Sequence, residues 1–559
     1  MKRLVKKVRF DFCFRRWANK PYAVFNSLHK VIKIGVLSVC YSLITLTSEN
    51  VFAHTDSIRV GKTVFLDEAS VTAERRRTLS ETGRVVTVIT REEIETSGVN
   101  SLNDLFRLVP GFDVRSRGGN GVQADISIRG GSFDQVLILL NGVNITDPQT
   151  GHHNANIPVN LSEIDRVEVL EGSGARGHGP GAFSGAINIV TGERRDTELR
   201  FQIEGGQHAF MGQSASANLS KKRLSLYSSV SHSQSAGYVQ ATDFNIDNYF
   251  LQMRYQTEKF GRFGVQTSWQ NKSFGANSFY SPAFRNQFEH IHAGLLTVDW
   301  NKSFDRFELQ AYSSWRRHYD RYELIRDSSY GRNFHRTDVP GGQFRVNYYS
   351  KLGRTSAGGG FREEKVVSTV LGFDLERPFE VDFAKSGVSA QYTKGANRTS
   401  FYGFIEQLLW FEKLSISADI QSFYNSDFGN RFTGGLNAER RFDDKWKLKA
   451  GINSAVRLPS FTELFYRGAG YVPPSSPLSP EKSISFELGA QYGEIANISL
   501  FHRRGRDMID WIKSVQEDPW TSANITEINS LGAEGSILWR PKNSKSFINR
   551  IQFSGLWQI

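Results

Sequence analysis

Residues 414–421 read Leu414-Ser415-Ile416-Ser417-Ala418-Asp419-Ile420-Gln421, in which apolar and polar side chains alternate without a break. Successive side chains of a β-strand point to opposite faces, so a period of two places the apolar residues on one face. The stretches 199–204, 446–452 and 484–492 alternate in the same way. The pattern predicts β-strands with one apolar and one polar face.

The connections between these strands alternate in length from about residue 198 onward. Tight turns such as Lys221-Lys222 and Asp443-Asp444 are interspersed with long polar loops at 274–287 and 468–480. Short turns at one end, long loops at the other and strands of about 10 residues are typical of outer-membrane barrels. A soluble β-solenoid would repeat at a fixed short period, which this sequence does not show. Residues 196–559 are therefore predicted to form an antiparallel transmembrane β-barrel, which makes the fold class membrane all-β.

Aromatic residues cluster in one of these strands. An interfacial girdle requires rings near the strand ends, where they meet the lipid headgroups. The rings expected to form it here are Phe401, Tyr402, Phe404, Trp410 and Phe411.

The number of strands bears on the size of the barrel. About 17 or 18 alternating segments can be marked between 198 and 559, whereas plugged outer-membrane transporters have about 22 strands. An open edge would leave unpaired backbone groups facing lipid, at several kcal/mol each. We therefore expect about four further strands at the C-terminal end, and the alternative is a complete barrel of about 16 or 18 strands.

The charge of the chain is concentrated at its N-terminus. The formal net charge is +12, but residues 1–53 hold 10 Lys/Arg and 2 Asp/Glu, and the remaining 59 Lys/Arg and 55 Asp/Glu leave only +4. A basic stretch, an apolar run over 34–46 and the small-residue end 51–53 predict a cleaved signal peptide over 1–53. The apolar run is shorter than the ~20 residues of a spanning helix, which disfavours a membrane anchor. Because most of the surplus positive charge belongs to this leader, nucleic acid is not expected as a partner.

Residues 82–195 mix short helices with short strands. Thr90 and Glu93 form a capping box that begins a helix ending near Ser97, and a second helix over 102–109 is stopped by Pro110. Strands are predicted at 85–89, 125–129, 136–140, 166–170 and 186–191. The region is predicted to be a small α+β domain in front of the barrel.

Six ordered segments of this domain resemble the plug domain of TonB-dependent receptors: 86–90, 101–111, 126–130, 136–143, 164–170 and 185–191. In the barrel, 457–466 and 478–483 resemble a late extracellular segment of that family, and 529–534 resembles a strand that the family places several strands before its end. The layout is most similar to the cobalamin-receptor branch, with siderophore and haem receptors as alternatives. The resemblance implies that the plug, 82–195, fills the barrel lumen and that the chain resides in the outer membrane of a Gram-negative bacterium.

The resemblance also implies a mechanism. Such receptors bind a scarce, bulky nutrient outside the cell, and the inner-membrane TonB complex supplies the energy that moves the plug. Ahead of the plug, in the periplasmic segment 54–81, the residues that resemble a TonB box are Asp67, Glu68, Ala69, Ser70, Val71, Thr72 and Ala73. An extended segment of this kind can add as a strand to the sheet edge of a partner. The alternative is an ordinary linker.

Two outward plug loops are implied to contact the ligand. The residues concerned are Arg117, Gly118, Gly119, Asn120 and Gln123 in the first loop, and Asp147, Gln149, His152, His153 and Asn154 in the second. Glycines let backbone amides approach a large ligand, and Asn, Gln and His supply polar contacts; the alternative is that the glycines only form turns. Adjacent histidines are usually solvated loop residues, so neither a metal site nor a cofactor is predicted.

Two further plug residues are expected to contact the barrel. Arg129 and Glu168 are the expected partners for holding the plug; the alternative is that they form ordinary exposed salt bridges, which contribute little to stability. At the position directly before Gly172 many relatives carry an Arg, whereas this sequence has Glu171 and so departs from the family pattern.

No catalytic motif points to an enzyme. The sequence contains no nucleophile elbow, zinc-protease helix or P-loop. Residues 172–177 satisfy the dinucleotide pattern, but Pro180 and Gly181 prevent the helix that this pattern requires. Both cysteines, Cys13 and Cys40, lie in the leader. The remaining classes are an energised receptor-transporter, a passive porin and a surface binding protein, and the plug argues against a porin.

Overall fold

The computed structural model describes residues 86–174, 177–192, 197–382, 389–468, 470–539 and 551–559. The expected signal peptide over 1–53 and TonB box over 67–73 lie outside these described residues. Among the described residues, no helix combines the length and the apolar character needed to cross a membrane.

The plug contains seven strands, two α-helices and three short 3-10 turns within the described residues. The strands are β1 (Val86–Thr90), β2 (Phe112–Arg117), β3 (Gln123–Ile128), β4 (Val136–Leu140), β5 (Val143–Asn144), β6 (Ile164–Glu171) and β7 (Gly185–Thr191). The α-helices are Arg91–Thr96 and Leu102–Phe106, and the 3-10 turns are Phe133–Gln135, Gly151–His153 and Leu161–Glu163. Five strands form one sheet in the order β1-β6-β7-β4-β5, and β2 and β3 form a separate hairpin.

The ends of the two helices follow from local hydrogen bonds. Thr90 and Glu93 form the expected capping box, and the first helix ends at Thr96 with Ser97 as its C-cap. The second helix ends at Phe106 rather than at the predicted residue 109, because Leu108 and Val109 donate to carbonyls three residues back in 3-10 fashion.

The core of the plug lies around the buried strand β4. All five residues of β4 are buried, and Ile138 packs in one cluster with Val169 and Ile187. Tyr227 and Leu295 of the barrel belong to the same cluster. The plug and the barrel wall are therefore packed together through apolar contacts as well as polar ones.

The second sheet is the barrel. Its strands are β8 (Glu198–Gly206), β9 (Phe210–Lys221), β10 (Leu224–Ser235), β11 (Phe244–Thr257), β12 (Gly261–Gly275), β13 (Phe288–Phe304), β14 (Phe307–Glu323), β15 (Arg332–Ser350), β16 (Gly353–Ser368), β17 (Phe373–Glu380), β18 (Gln391–Trp410), β19 (Leu414–Asn425), β20 (Gly429–Arg441), β21 (Trp446–Arg457), β22 (Tyr471–Val472), β23 (Glu481–Tyr492), β24 (Ala496–Ile512), β25 (Trp520–Trp539) and β26 (Ile551–Gln558). One further α-helix, Phe461–Phe465, lies in the loop between β21 and β22.

Antiparallel pairing runs without a break from β8 to β26 through the wall strands. β16 pairs directly with β18, so β17 is an addition to one end of β18. β22 has only two residues and pairs in parallel with β25. Seventeen of the nineteen strands in this sheet therefore form the wall of the described barrel, which confirms the strand number predicted from the alternation.

The two faces of the wall differ in polarity. Phe201 and Leu488 are 65% and 61% exposed, whereas the lumen-facing Ser485 and Asn437 are at most 3% exposed. The polar face therefore packs around the plug and the apolar face points away from it, as a lipid-exposed wall requires.

The predicted girdle is correct for only some of its rings. Phe401, Trp410 and Phe411 are exposed, but Tyr402 and Phe404 are buried and face the plug. The strict period of two turns these two rings inward, so the girdle prediction is wrong for them.

The plug lies in the lumen, where it contacts strands on several sides of the barrel. Ser229 of β10 donates to Glu163, and Ser173 shares a hydrogen bond with Ser483 of β23. The plug segment 144–156 contacts the helix Phe461–Phe465. We call the end that carries the long loops the outer end and the end with tight turns the inner end.

Candidate functional site

The first implied ligand loop is the tip of the β2–β3 hairpin. Arg117 pairs with Gln123, so both belong to strands rather than to the loop in which the sequence placed them. Gly118 has φ +77°, and a side chain there would meet the Phe279 ring at 3.3 Å. Asn120 at the tip is exposed, and Gly118 and Gly119 are half-buried, whereas Gln123 is buried. The tip is therefore the accessible part of this loop.

Polar contacts fasten the hairpin to the outer loop 276–287. Arg117 donates to the carbonyl of Phe279, and its Nη2 lies 2.8 Å from Asp125 Oδ2. Gln123 Nε2 donates to the hydroxyl of Tyr280 at 2.8 Å. Burial alone would raise the pKa of Asp125, but the hydrogen bonds and charges of His152 and Arg117 lower it. The positive charge of Arg117 is therefore already paired within the plug.

The second implied ligand loop, 144–156, is mostly buried under the outer loops. Asp147 accepts from Arg316 Nη1 of β14 at 2.6 Å, and Gln149 Nε2 donates to Asp320 Oδ2 of the same strand at 3.1 Å. Asn154 Oδ1 accepts from the backbone amide of Asp147 at 2.9 Å. The structure thus uses these side chains to fix the loop against the barrel.

The two adjacent histidines of this loop point to different environments. His152 Nδ1 donates to Asp125 Oδ1 at 2.6 Å, and its ring stacks on Phe133 with a centroid distance of 4.2 Å. His152 also meets the ring of Tyr280 edge-on. His152 is half-buried at the outer end, whereas His153 is buried.

His153 lies among carboxylates of the barrel wall. Its Nε2 is 3.4 Å from Asp320 Oδ2, and its Nδ1 is 3.8 Å from Glu289 Oε1. Its ring centroid is 4.5 Å from that of His318. Burial by itself lowers the pKa of His153, but the hydrogen bond to Asp320 and the nearby negative charges raise it to about 9.

Aromatic side chains at the outer end of the barrel form a group that the sequence reasoning missed. Tyr280 and Tyr322 meet edge-on at 5.2 Å, Tyr466 and Tyr471 at 5.6 Å, and Tyr471 and Trp511 at 5.2 Å. Tyr280 lies in the loop between β12 and β13, Tyr322 and Trp511 lie at the outer ends of β14 and β24, and Tyr466 and Tyr471 lie in the connection between β21 and β23. All five rings are half-buried. We call them the outer aromatic group. Their clustering is set by the barrel, so no spacing in the sequence indicates it.

Arg129 is the centre of the buried contacts between the plug and the wall. Its Nη1 donates to Glu487 Oε1 of β23 at 2.5 Å, and its Nε donates to Glu534 Oε2 of β25 at 3.0 Å. Its Nη2 donates to Glu171 Oε2 of the plug at 3.1 Å. The guanidinium also lies 4.6 Å from the Phe501 ring centroid. Because Arg129 is 1% exposed, these contacts are shielded from water.

Glu168 and Glu171 differ in their relation to the contacts of Arg129. Glu168 accepts from Arg166 at 2.8 Å and from Asn188 at 3.0 Å, which are both plug residues. Glu171, where the family pattern has Arg, lies beside Arg129 and Glu534. Burial and the negative charge of Glu534 raise the pKa of Glu171, and the charge of Arg129 opposes that rise.

Comparison with known families identifies both regions. A family model described as the TonB-dependent Receptor Plug Domain matches residues 78–186, and one described as TonB dependent receptor-like, beta-barrel matches residues 215–558. The chain belongs to the TonB-dependent receptor family. Homologous receptors are outer-membrane proteins of Gram-negative bacteria that bind bulky ligands.

The receptor has curated and structural relatives with different cargoes. It is 23% identical over 539 residues to a vitamin B12 transporter of Vibrio vulnificus. This alignment covers 92% of this chain and 78% of that protein. A mutant of the ferric enterobactin receptor from Pseudomonas aeruginosa matches with a TM-score of 0.66 at 15% identity, over 83% of this chain and 79% of that one. The copper transporter OprC matches with a TM-score of 0.67 at 16% identity, and the match covers 86% of this chain and 80% of that one. At these identities the structural matches establish the fold of the receptor.

Proposed function

We propose that this receptor is an energised outer-membrane transporter whose cargo is a bulky corrinoid of the cobalamin class. The observation that carries the proposal is the plug, which occupies the lumen and is held there by Arg129. A folded domain in the lumen blocks free diffusion of a bulky solute, so passage requires work on the plug. The receptor is proposed to act without catalysis.

The energy source is proposed to be the TonB complex of the inner membrane. The segment 67–73, ahead of the plug, is the proposed handle, and the signal peptide over 1–53 is the proposed route to the outer membrane. The exposed apolar wall supports lipid as the surrounding medium.

Charge at the outer end supports the choice of cargo. Arg117 is paired with Asp125 and Asp147 with Arg316, so the charged residues of the two plug loops are already neutralised. The outer aromatic group adds flat apolar surfaces with hydroxyl groups, which suit a large ligand of little net charge. A vitamin B12 transporter is also among the relatives that span most of the chain.

The alternative cargo is a siderophore or haem. The ferric enterobactin receptor shares the fold, but an anionic chelate requires unpaired positive charge, which the two plug loops do not present within the described residues. A further alternative is a surface binding protein without energised transport.

Binding and uptake experiments separate these possibilities. We expect purified receptor in detergent to bind cyanocobalamin more tightly than a ferric catecholate, as measured by quenching of its tyrosine and tryptophan fluorescence. Deletion of 67–73 is expected to abolish corrinoid uptake by cells and to leave surface binding intact. Uptake that persists after deletion, or in the presence of an uncoupler, would refute energised transport; preferential binding of the catecholate would refute the cargo.

A further inference from the structure

The buried group around His153 has the chemistry of a metal site. His153, Glu289 and Asp320 each offer one ligand atom, and these atoms all lie within 4.8 Å of one another. In a tetrahedral site with bonds of about 2.1 Å, neighbouring ligand atoms are roughly 3.4 Å apart. Small side-chain rotations are therefore enough to bring the three atoms to bonding distance of one ion.

Unused polar atoms at the same place give independent support. Glu289 Oε1 and Asp320 Oδ1 are buried without a hydrogen-bond partner, and both ring nitrogens of His318 are in the same condition. Leaving a buried polar atom without a partner costs about 1–3 kcal/mol, and more for a charged group. Three side chains that carry such atoms meet His153, which indicates that the site accommodates a further positively charged species.

The neighbouring cations are already engaged with other groups. Arg316 donates to Asp147 Oδ2, and Lys272 Nζ donates to the carbonyl of Val122 and to Asn156 Oδ1. Neither cation donates a hydrogen bond to the unpartnered oxygens of Glu289 and Asp320. An ion placed between His153 and the two carboxylates would satisfy these oxygens directly.

The geometry points to a binding site for one divalent transition metal ion of the Zn²⁺ class, held by His153, Glu289 and Asp320, with His318 beside the fourth position. An imidazole with two carboxylates suits Zn²⁺, Co²⁺ and Ni²⁺. Ca²⁺ would take 6–8 oxygen ligands, and Mg²⁺ prefers oxygen ligands and water, so this mixed set disfavours both.

The position of the site gives the ion a structural role. His153 belongs to the plug, whereas Glu289 and Asp320 belong to β13 and β14 near the outer end of the barrel. A bound ion therefore joins the segment 144–156 to the wall, and its affinity depends on the plug being docked. The metal site does not depend on corrinoid being the cargo.

Metal titration of the full-length, untagged receptor in detergent tests this inference. After removal of metal with a chelator, we expect the wild-type receptor to bind one equivalent of Zn²⁺ by calorimetry and mass spectrometry. Co²⁺ is expected to give a visible d–d absorption band at the same stoichiometry. The variants His153→Gln and Asp320→Asn should each weaken Zn²⁺ binding at least 100-fold, because each loses a ligand.

His152→Gln is the matched control, since it removes the adjacent imidazole, which faces Asp125 instead. This variant should bind Zn²⁺ as the wild type does, and Zn²⁺ should raise the Tm of both. Heat-modifiable migration on gels checks that each variant is folded. Glu289→Gln is used in place of any variant that fails this check. Absence of stoichiometric binding to the wild type, or equal affinity of His153→Gln, would overturn the site and leave a protonated His153 as the buried cation. Corrinoid binding measured on the metal-free receptor keeps this result separate from the proposed function.

Discussion

The guanidinium of Arg129 in the plug donates to Glu487 in the barrel wall at 2.5 Å, across 358 residues of sequence. Its other nitrogens contact Glu534 and Glu171. A single buried cation thus connects the plug with two wall strands.

Replacing Arg129 by alanine should destabilise the docked plug by about 3–5 kcal/mol, because buried carboxylates are left without their cation. The measurement is the free energy of unfolding of the receptor in detergent. Arg115→Ala, which removes an exposed pair with Asp113, should change it by less than about 1 kcal/mol. Equal effects of the two variants would show that Arg129 does not anchor the plug.

The two carboxylates beside Arg129 should respond differently to amide substitution. Since burial and the charge of Glu534 raise the pKa of Glu171, Glu171→Gln should lower the free energy of unfolding less than Glu534→Gln does. Glu534→Gln should cost about 3 kcal/mol, because it removes the charge that accepts from Arg129.

The pH dependence gives a second readout of Glu171. Its folded pKa lies above the ordinary 4.5, so its contribution to stability is present below that value and is lost as the pH rises. Glu171→Gln should remove this loss. The free energy of unfolding of the variant should therefore increase relative to that of the wild type as the pH rises. A constant difference across pH 4–8 would contradict the assignment.

His178 should make the plug sensitive to acid. Burial and the charge of Arg345 lower the pKa of His178 from 6.5 to about 4, and its Nδ1 donates to the carbonyl of Gly142 at 2.9 Å. The contribution of neutral His178 to the free energy of unfolding is present above pH 6.5 and is lost as the pH falls through 4. The loss amounts to up to about 3 kcal/mol. His178→Gln should reduce the acid dependence of the unfolding free energy, whereas His208→Asn, at an exposed turn, should retain it.

The outer aromatic group should contribute to ligand affinity. Tyr471→Ala and Trp511→Ala should each raise the Kd for corrinoid about tenfold, since partly buried rings are common energetic centres of binding sites. Trp446→Ala removes a ring of similar size at the inner end of the barrel, where it is 47% exposed, and should leave the Kd unchanged. Fluorescence titration measures all three, and a loss of affinity in Trp446→Ala would indicate a general folding defect.

The outward face of the wall should not tolerate charge. Leu488→Arg should destabilise insertion into lipid vesicles by about 2–4 kcal/mol, because the arginine would face the hydrocarbon region. Glu517→Arg adds an arginine in an exposed outer loop and should insert as the wild type does. The comparison uses the fraction folded in a urea titration, and equal curves would show that position 488 does not face lipid.

The sequence predicts the barrel well, because alternation is a local property of each strand. Residues 414–421 and 484–492 lie in β19 and β23 with their apolar side chains outward. The β2 strand was missed, and Arg117 and Gln123 were consequently placed in a loop.

The site is less predictable, because its contacts connect residues far apart in the sequence. Glu534 lies 405 residues from Arg129, and Asp320 lies 171 residues from Gln149. Polar residues in the segment 144–156 were expected to face a ligand, but several of them are used to fix that segment against β14. A spacing of residues does not indicate which partner a loop meets in a barrel of this size.

The edge strand β1 has a mechanical consequence for the receptor. Val86 pairs with Leu170 at the start of the β1–β6 ladder, and Thr87 Oγ1 donates to Glu171 Oε1 at 3.0 Å. Tension that enters the chain ahead of Val86 therefore reaches the Val86–Leu170 pair and the Thr87–Glu171 hydrogen bond before the rest of the ladder. Glu171 is also a partner of Arg129, so a pull on β1 acts on the neighbourhood of the Arg129 contacts before it acts on the buried strand β4.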